Sequence, residues 1–321
     1  MFSRILITGL VAMATSFVIA VILGRGVIPV LQRLKASQTE RNIMESHVKK
    51  NGTPTMGGVI FLGAMFLVSL ACVHIEPEII PVIILTMGFG LIGFFDDYLK
   101  VVLKRSDGLL AWQKMLLQIL VTTIFGAYIM RYSGISMEMR IPFTHGAMLN
   151  LGWLAIPLLY FAVIGTVNGT NFTDGLDGLA TSVTIVVAAF FTAAAWRLGV
   201  PVEVLGFIMI GALLGFLVFN RHPAKVFMGD TGSLALGGFV AGMAYMMQMP
   251  LFIIGVGIIY LVEVLSVMLQ VGSFKLRHGK RIFRMAPIHH HFELGGWSEV
   301  KIVVVFTLIT VAASIVMFLG I

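Results

Sequence analysis

Apolar stretches about as long as a bilayer is thick recur along the whole chain, each separated from the next by a polar connector. A helix needs roughly 20 mostly apolar residues to cross the hydrocarbon core. The pattern predicts ten such helices, at about 5–31, 56–75, 79–95, 112–130, 151–167, 178–196, 201–219, 233–249, 251–271 and 301–320. The first stretch is too long, and too closely followed by others, for a cleaved signal peptide, so it counts as helix one. Neither an internal repeat of the transporter kind nor a low-complexity linker interrupts the series. The expected fold is therefore all-α, a polytopic membrane protein with ten transmembrane helices in one domain over residues 1–321.

Composition agrees, since 58% of the 321 residues are hydrophobic and only 12% charged, far from the balance of an ordinary soluble domain. Lys and Arg set the orientation, because positive residues collect in cytoplasmic loops. The connectors after helices one, three, five, seven and nine, with the adjoining helix starts, hold 17 of the 22. Those five loops are expected in the cytoplasm, and both termini on the extracytoplasmic side. The net charge of +7 is a topological signal. Spread over four loops with no reader motif, it does not point to nucleic acid. A single cysteine, Cys72, excludes an intrachain disulfide and a cysteine-based metal site.

The six aspartates, Asp96, Asp97, Asp107, Asp174, Asp177 and Asp230, all fall on the side that Lys and Arg mark as cytoplasmic, whereas Glu shows no such bias. Positive-inside topology says nothing about acids, so the asymmetry needs another cause. In IGFFDDYLK, residues 92–100, Asp96 and Asp97 directly follow an apolar run, where a misplaced carboxylate costs roughly 2.5–3.5 kcal/mol. An acid at a helix C-terminus also opposes the macrodipole, which favours function over a frayed helix end. Neighbours about 100° apart on a helix are expected to divide the work, here at the cytoplasmic edge where acids meet water and cations.

NGTNFTDGLDG (168–178) and NRHPAKVFMGDTGS (220–233) connect helix five to six and helix seven to eight. Gly-rich turns with Asp, Asn and Thr at a helix start offer backbone N–H groups and hard oxygen ligands together, which suits a phosphate with Mg²⁺. The plain alternative is capping, by Asp174 or Asp177 of helix six and by Asp230 or Ser233 of helix eight.

Several look-alikes carry no weight. GFGLIG (88–93) matches a dinucleotide-binding pattern but lies inside a membrane helix with no strand before it, so helix packing explains it better. GDTGS lacks a Walker lysine, and NGTNFTDGLDG lacks the twelfth-position glutamate of a calcium loop. The sequons at Asn51, Asn168 and Asn171 fall on the cytoplasmic side, where glycosylation is not expected.

The run His289, His290, His291 lies in the longest cytoplasmic loop. Three consecutive helical side chains point about 100° apart and cannot all reach one zinc ion. Imidazoles beside an acidic site suit donation to phosphate or substrate, with one as a proton carrier. Most basic residues, Lys49, Lys50, Lys100, Lys104 and Arg105 among them, read as topology determinants near anionic headgroups. Lys114 is different, because the helix it opens is otherwise apolar. Glu263, the only acid deep within a predicted helix, is expected to face the bundle interior or a cavity, with a local structural role as the equal alternative.

Together GTPTMGG, FFDDYLK, NGTNFTDGLDGL, NRHPAKVFMGDTGS and APIHHHFE resemble the polyprenyl-phosphate N-acetylhexosamine-1-phosphate transferase superfamily, the glycosyltransferase 4 family. The resemblance covers almost the whole chain, and the HHH loop is similar to that of the branch using a muramoyl-pentapeptide donor. It implies transfer of phospho-N-acetylmuramoyl-pentapeptide from UDP-MurNAc-pentapeptide to undecaprenyl phosphate in a bacterial cell membrane. Lipid I and UMP are the implied products, Mg²⁺ the cofactor, a homodimer the implied assembly, and the active site faces the cytoplasm.

Residue by residue, Asp96 resembles the base that takes the acceptor phosphate's proton, and Asp97 and Asp230 resemble residues tied to Mg²⁺ and diphosphate. Asn168, Asn171, Asp174, Asp177, Asn220 and Phe227 resemble the nucleoside pocket and its neighbours. His289, His290 and Lys114 resemble essential residues near the diphosphate. Lys49, Phe172, Gly175, Gly229 and His291 belong with the substrate-binding set, Phe172 being the position expected to vary most. Two alternatives stand beside this reading: a related transferase using UDP-GlcNAc, and an ion-coupled transporter built on the intramembrane acid. The transporter predicts charges at the bilayer midplane rather than at one face.

Overall fold

The computed structural model describes residues 2–34, 52–105 and 108–321. Lys49 and Asp107 lie outside the described residues. Ten longer helices run through the rest: α1 Phe2–Arg33, α2 Gly58–Cys72, α3 Ile80–Val101, α4 Ala111–Tyr132, α5 Ala155–Thr173, α6 Leu179–Leu198, α7 Glu203–Asn220, α8 Gly229–Met246, α9 Ile258–Leu276 and α10 Glu299–Leu319. Among the described residues, eight of these are long and apolar enough to cross a membrane, so the chain is mostly helical and multi-pass. The other two are α2, which has only 15 residues, and α8. Every residue of α8 from Thr231 to Met246 is buried. A helix enclosed by other helices meets no lipid, so it can give up apolar side chains for the small residues that close packing needs.

That packing makes α8 the axis of the molecule. It lies against α3, α5, α2 and α6, with Gly93 of α3 and Gly237 of α8 letting backbones approach: a Cβ at Gly93 would sit 2.0 Å from the carbonyl oxygen of Asp230. By contrast α1, α4, α9 and α10 leave most of their apolar length exposed, as lipid-facing helices do.

Helix α1 runs parallel to α7, Gly9 meeting Phe207 and Gly24 meeting Phe219. Its N-terminal turns therefore share an end of the bundle with the start of α7. At that same end a two-stranded hairpin, Met139–Arg140 with Met148–Leu149, is tied to the C-termini of α8 and α10. The Arg140 amide donates to the Gln248 carbonyl at 2.7 Å, and the Phe143 amide to that of Gly320 at 2.8 Å. Both chain ends thus lie opposite the aspartates described below.

Helix boundaries differ from the sequence expectation in one consequential way. Helix α3 continues to Val101 rather than ending near residue 95, so Asp96 and Asp97 stand inside it. Lys100 allows this, because a cation in the last turn favours the helix C-terminus and lies one turn from Asp96.

Candidate active site

The C-terminal end of α3 and the N-terminal end of α8 bring the three aspartates together. Asp96 is 2% exposed and Asp97 fully buried, which corrects the expectation that these acids meet water at a helix end. Protein groups take the place of water. Asp97 Oδ1 accepts from the Asp230 amide at 3.2 Å, and Oδ2 from the Thr231 amide at 2.9 Å and hydroxyl at 2.6 Å. Asp96 Oδ1 accepts from the Leu109 amide at 2.8 Å, and its other oxygen pairs with Lys100. One neighbour holds the start of α8 and the other the loop before α4, so the two do have different partners.

Asp230 is the meeting point. Its Oδ2 takes the Lys114 ammonium at 2.8 Å and that of Lys100 at 3.3 Å. Its Oδ1 accepts from Asn171 Nδ2 at 2.9 Å, and the same amide donates to Ser233 Oγ at 2.8 Å. Three carboxyl groups and two ammonium groups thus share one small cluster. One oxygen each from Asp96, Asp97 and Asp230 lie within 4.8 Å of one another. This is close to the spread of oxygens round one small divalent cation, with bonds of about 2.0–2.1 Å. The donor set is all oxygen, as a hard cation requires, and Asp97 Oδ1 keeps a second lone pair.

Capping does not account for these acids. The residue preceding α6 is Gly178, in the left-handed region at φ 77°, and the one preceding α8 is Met228; neither gives a side-chain cap. Gly229, at φ 72°, turns the chain into α8 where a Cβ would lie 2.6 Å from Asp97 Oδ2.

Beside the cluster, Thr55, Asn171, Asp174, Gly175, Leu176, Asp177, Asn220, Phe227 and Gly229 line a polar cavity that Asp230 closes. Burial, and then the charges of Asp230 and Asp97, hold the Asp174 carboxyl well above the usual carboxylate range. Asp177 accepts from the Ala224 amide at 3.1 Å and lies 2.9 Å from His222 Nδ1, which also approaches Glu299 Oε2 at 3.6 Å. Asn220 is occupied at both ends, accepting from Thr181 Oγ1 at 2.7 Å and donating to the Val226 carbonyl at 3.0 Å.

The other sequence candidates lie further out. Asn168, one turn before Asn171, donates to Gln118 Oε1 of α4 at 3.0 Å and does not line the cavity. Phe172 does not line it either. The three histidines diverge, as expected for a helix: His289 Nδ1 is 3.1 Å from Glu263 Oε1, His290 Nδ1 is 3.1 Å from Glu293 Oε2, and His291 Nδ1 accepts from the Arg284 amide at 3.1 Å. Glu263 is fully buried and faces the interior.

Sequence reasoning missed Thr231, Gln118 and His222, and read Lys100 as a topology determinant. Gln118 had a signal, standing four residues after Lys114 on one face of an apolar helix. Thr231 and His222 had none beyond membership of a polar connector.

Residues 79–248 match the family model for glycosyl transferase family 4, and residues 50–62 match signature 1 of the phospho-N-acetylmuramoyl-pentapeptide-transferases. Curated proteins named phospho-N-acetylmuramoyl-pentapeptide-transferase are similar over nearly the whole chain. The one from Clostridium novyi is 50% identical, covering 95% of this chain and 94% of its own length. That from Acetivibrio thermocellus is 49% identical, covering 94% and 92%. The Caldanaerobacter subterraneus protein is 48% identical, covering 94% and 95%.

Proposed function

The chain belongs to the phospho-N-acetylmuramoyl-pentapeptide-transferases of glycosyl transferase family 4, and we propose that it transfers phospho-N-acetylmuramoyl-pentapeptide from UDP to undecaprenyl phosphate. The products are lipid I and UMP, and the step is the first membrane reaction of peptidoglycan synthesis. The observation that carries this reading is the convergence of Asp96, Asp97, Asp230, Lys100 and Lys114 at the mouth of a polar cavity. Phosphoryl transfer needs positioned phosphates, charge neutralisation and a primed nucleophile, all of which such a set supplies.

Asp97 and Asp230, with Asp96 beside them, are the residues that would hold Mg²⁺, which when bound would supply neutralisation of diphosphate charge and polarisation of phosphorus. Asp96 takes the proton of the acceptor phosphate. Lys100 and Lys114 keep Asp230 ionised and offer ammonium groups to phosphate oxygens. Asn171 orients Asp230 through its amide, and Asp174, Asp177 and Phe227 wall the nucleoside, Phe227 with an aromatic face for the base. Asn220 shapes that wall through the two bonds it makes within it, and His289 and His290 act near the diphosphate.

The ten helices form one domain crossing a bacterial cell membrane ten times, with both termini outside and the cavity toward the cytoplasm. Supporting this are the Lys and Arg bias of the loops and the position of both chain ends opposite the aspartates. Two copies assemble as a homodimer, on family resemblance alone.

The test is direct. Purified protein is incubated with undecaprenyl phosphate, Mg²⁺ and either UDP-MurNAc-pentapeptide or UDP-GlcNAc. Lipid I with UMP from the first donor is expected; a lipid product from UDP-GlcNAc alone would overturn the choice.

A further inference from the structure

Glu263 lies on α9, outside the carboxylate cluster, and its partner decides its meaning. The His289 ring is 1% exposed and presents Nδ1 to Glu263 Oε1 at 3.1 Å. Its other nitrogen, Nε2, is buried and has no hydrogen-bond partner in the protein. That nitrogen is aimed at the turn after α5, where a Cβ on Gly175 would stand 2.2 Å from it. Gly175 itself lines the polar cavity, between Asp174 and Asp177. The histidine therefore connects a buried acid on one side to the cavity wall on the other. The His290 ring lies beside it at 4.1 Å between centroids, but His290 turns its own Nδ1 to Glu293.

An ionised carboxylate can only accept, so a ring nitrogen held against it keeps its proton. Which nitrogen of a histidine does chemistry is set by the bond that the other one makes. We propose that Glu263 is a positioning residue that holds His289 with its proton on Nδ1, leaving Nε2, packed against Gly175 of the cavity wall, as the sole ring nitrogen able to accept a hydrogen bond or a proton on the side of the donor substrate. Gly175 is the matching feature on the other side, because the ring packs directly against it and a side chain there would collide with Nε2. That this arrangement serves the donor substrate rests on the transferase reading, whereas the proton's place on the ring does not.

Nitrogen-15 NMR of protein labelled at histidine rings, in lipid nanodiscs, reads the proton's place directly, with the His289 signals identified by their loss in His289→Gln. Wild-type protein is expected to show a proton on Nδ1 and none on Nε2. Glu263→Gln, whose amide can donate as well as accept, is expected to populate both tautomers. Its kcat should fall at least about tenfold with KM little changed, its pH profile should move, and Glu263→Asp should recover part of the activity. A wild-type ring protonated at Nε2 alone, or a Glu263→Gln protein with the wild-type tautomer and pH profile, would overturn the proposal. Protein with the expected tautomer but no lipid I formation would leave the positioning role standing and remove the transferase reading.

Discussion

The Thr231 hydroxyl donates to Asp97 Oδ2 at 2.6 Å, and the Thr231 amide reaches the same oxygen at 2.9 Å. One carboxylate on α3 thereby fixes the first turn of α8 and the direction in which Asp230 points. Thr231→Val keeps the shape and removes the hydroxyl. A buried bond to a charged group contributes roughly 1.5–3 kcal/mol, so a lower melting temperature in detergent and reduced turnover are expected, with Thr231→Ser close to wild type. Unchanged melting in the valine variant would show that the bond is not what holds the turn.

Asp96 and Asp97 should fail differently. Asp97→Asn leaves buried N–H and O–H donors facing a weaker acceptor, at about 1–3 kcal/mol, and should lose both stability and activity. Asp96→Asn should lose activity with much less change in melting, and the two variants should differ in pH and Mg²⁺ dependence. Identical stability, pH and Mg²⁺ responses would argue against divided roles.

Lys114 makes the shorter contact with Asp230 and Lys100 the longer, 2.8 Å against 3.3 Å. Removing one charge-stabilising donor from a catalytic site commonly costs on the order of 10²–10³ in kcat. Lys114→Gln is expected in that range, and Lys114→Arg should keep part of the rate. Turnover of Lys114→Gln within threefold of wild type, measured as lipid I per minute, would place Lys114 outside the reaction.

Gly93 and Gly90 offer an internal comparison on α3. A Cβ at Gly93 would meet the Asp230 backbone at 2.0 Å, whereas at Gly90 the nearest atom is the tip of Leu62 at 3.0 Å. Backbone cannot rotate away as a leucine methyl can. Gly93→Ala is expected to lose about 1–3 kcal/mol or more by overpacking, together with activity, and Gly90→Ala much less. Equal melting temperatures for the two would contradict this account of the α3–α8 contact.

With adjacent aspartates able to act as base and metal ligand, a covalent phospho-aspartate is unnecessary, and direct attack by the lipid phosphate is expected. A donor chiral at phosphorus should therefore give net inversion. Net retention would reveal two displacements.

The length of the apolar runs located the long helices, eight of which are long and apolar enough to cross a membrane among the described residues, because an apolar run of that length leaves a backbone few ways to satisfy its polar groups except as helix. Residue type and connector chemistry also picked out the polar stretches bearing the aspartates and Asn171. Three things lay beyond sequence. The first is the burial of Asp96 and Asp97, which depends on α3 continuing to Val101 and on the donors of Thr231, Leu109 and Lys100 arriving from elsewhere. The second is the sorting of candidates: Asn168 turns to Gln118 while Asn171, three residues on, reaches Asp230. The third is the pairing of Glu263 with His289, separated by 26 positions. Sequence determines which segments are helical and which side chains can do chemistry, since both follow from local composition. Only tertiary packing decides which of those side chains face one another, because partners are set by glycine-permitted backbone contacts between helices distant in the chain.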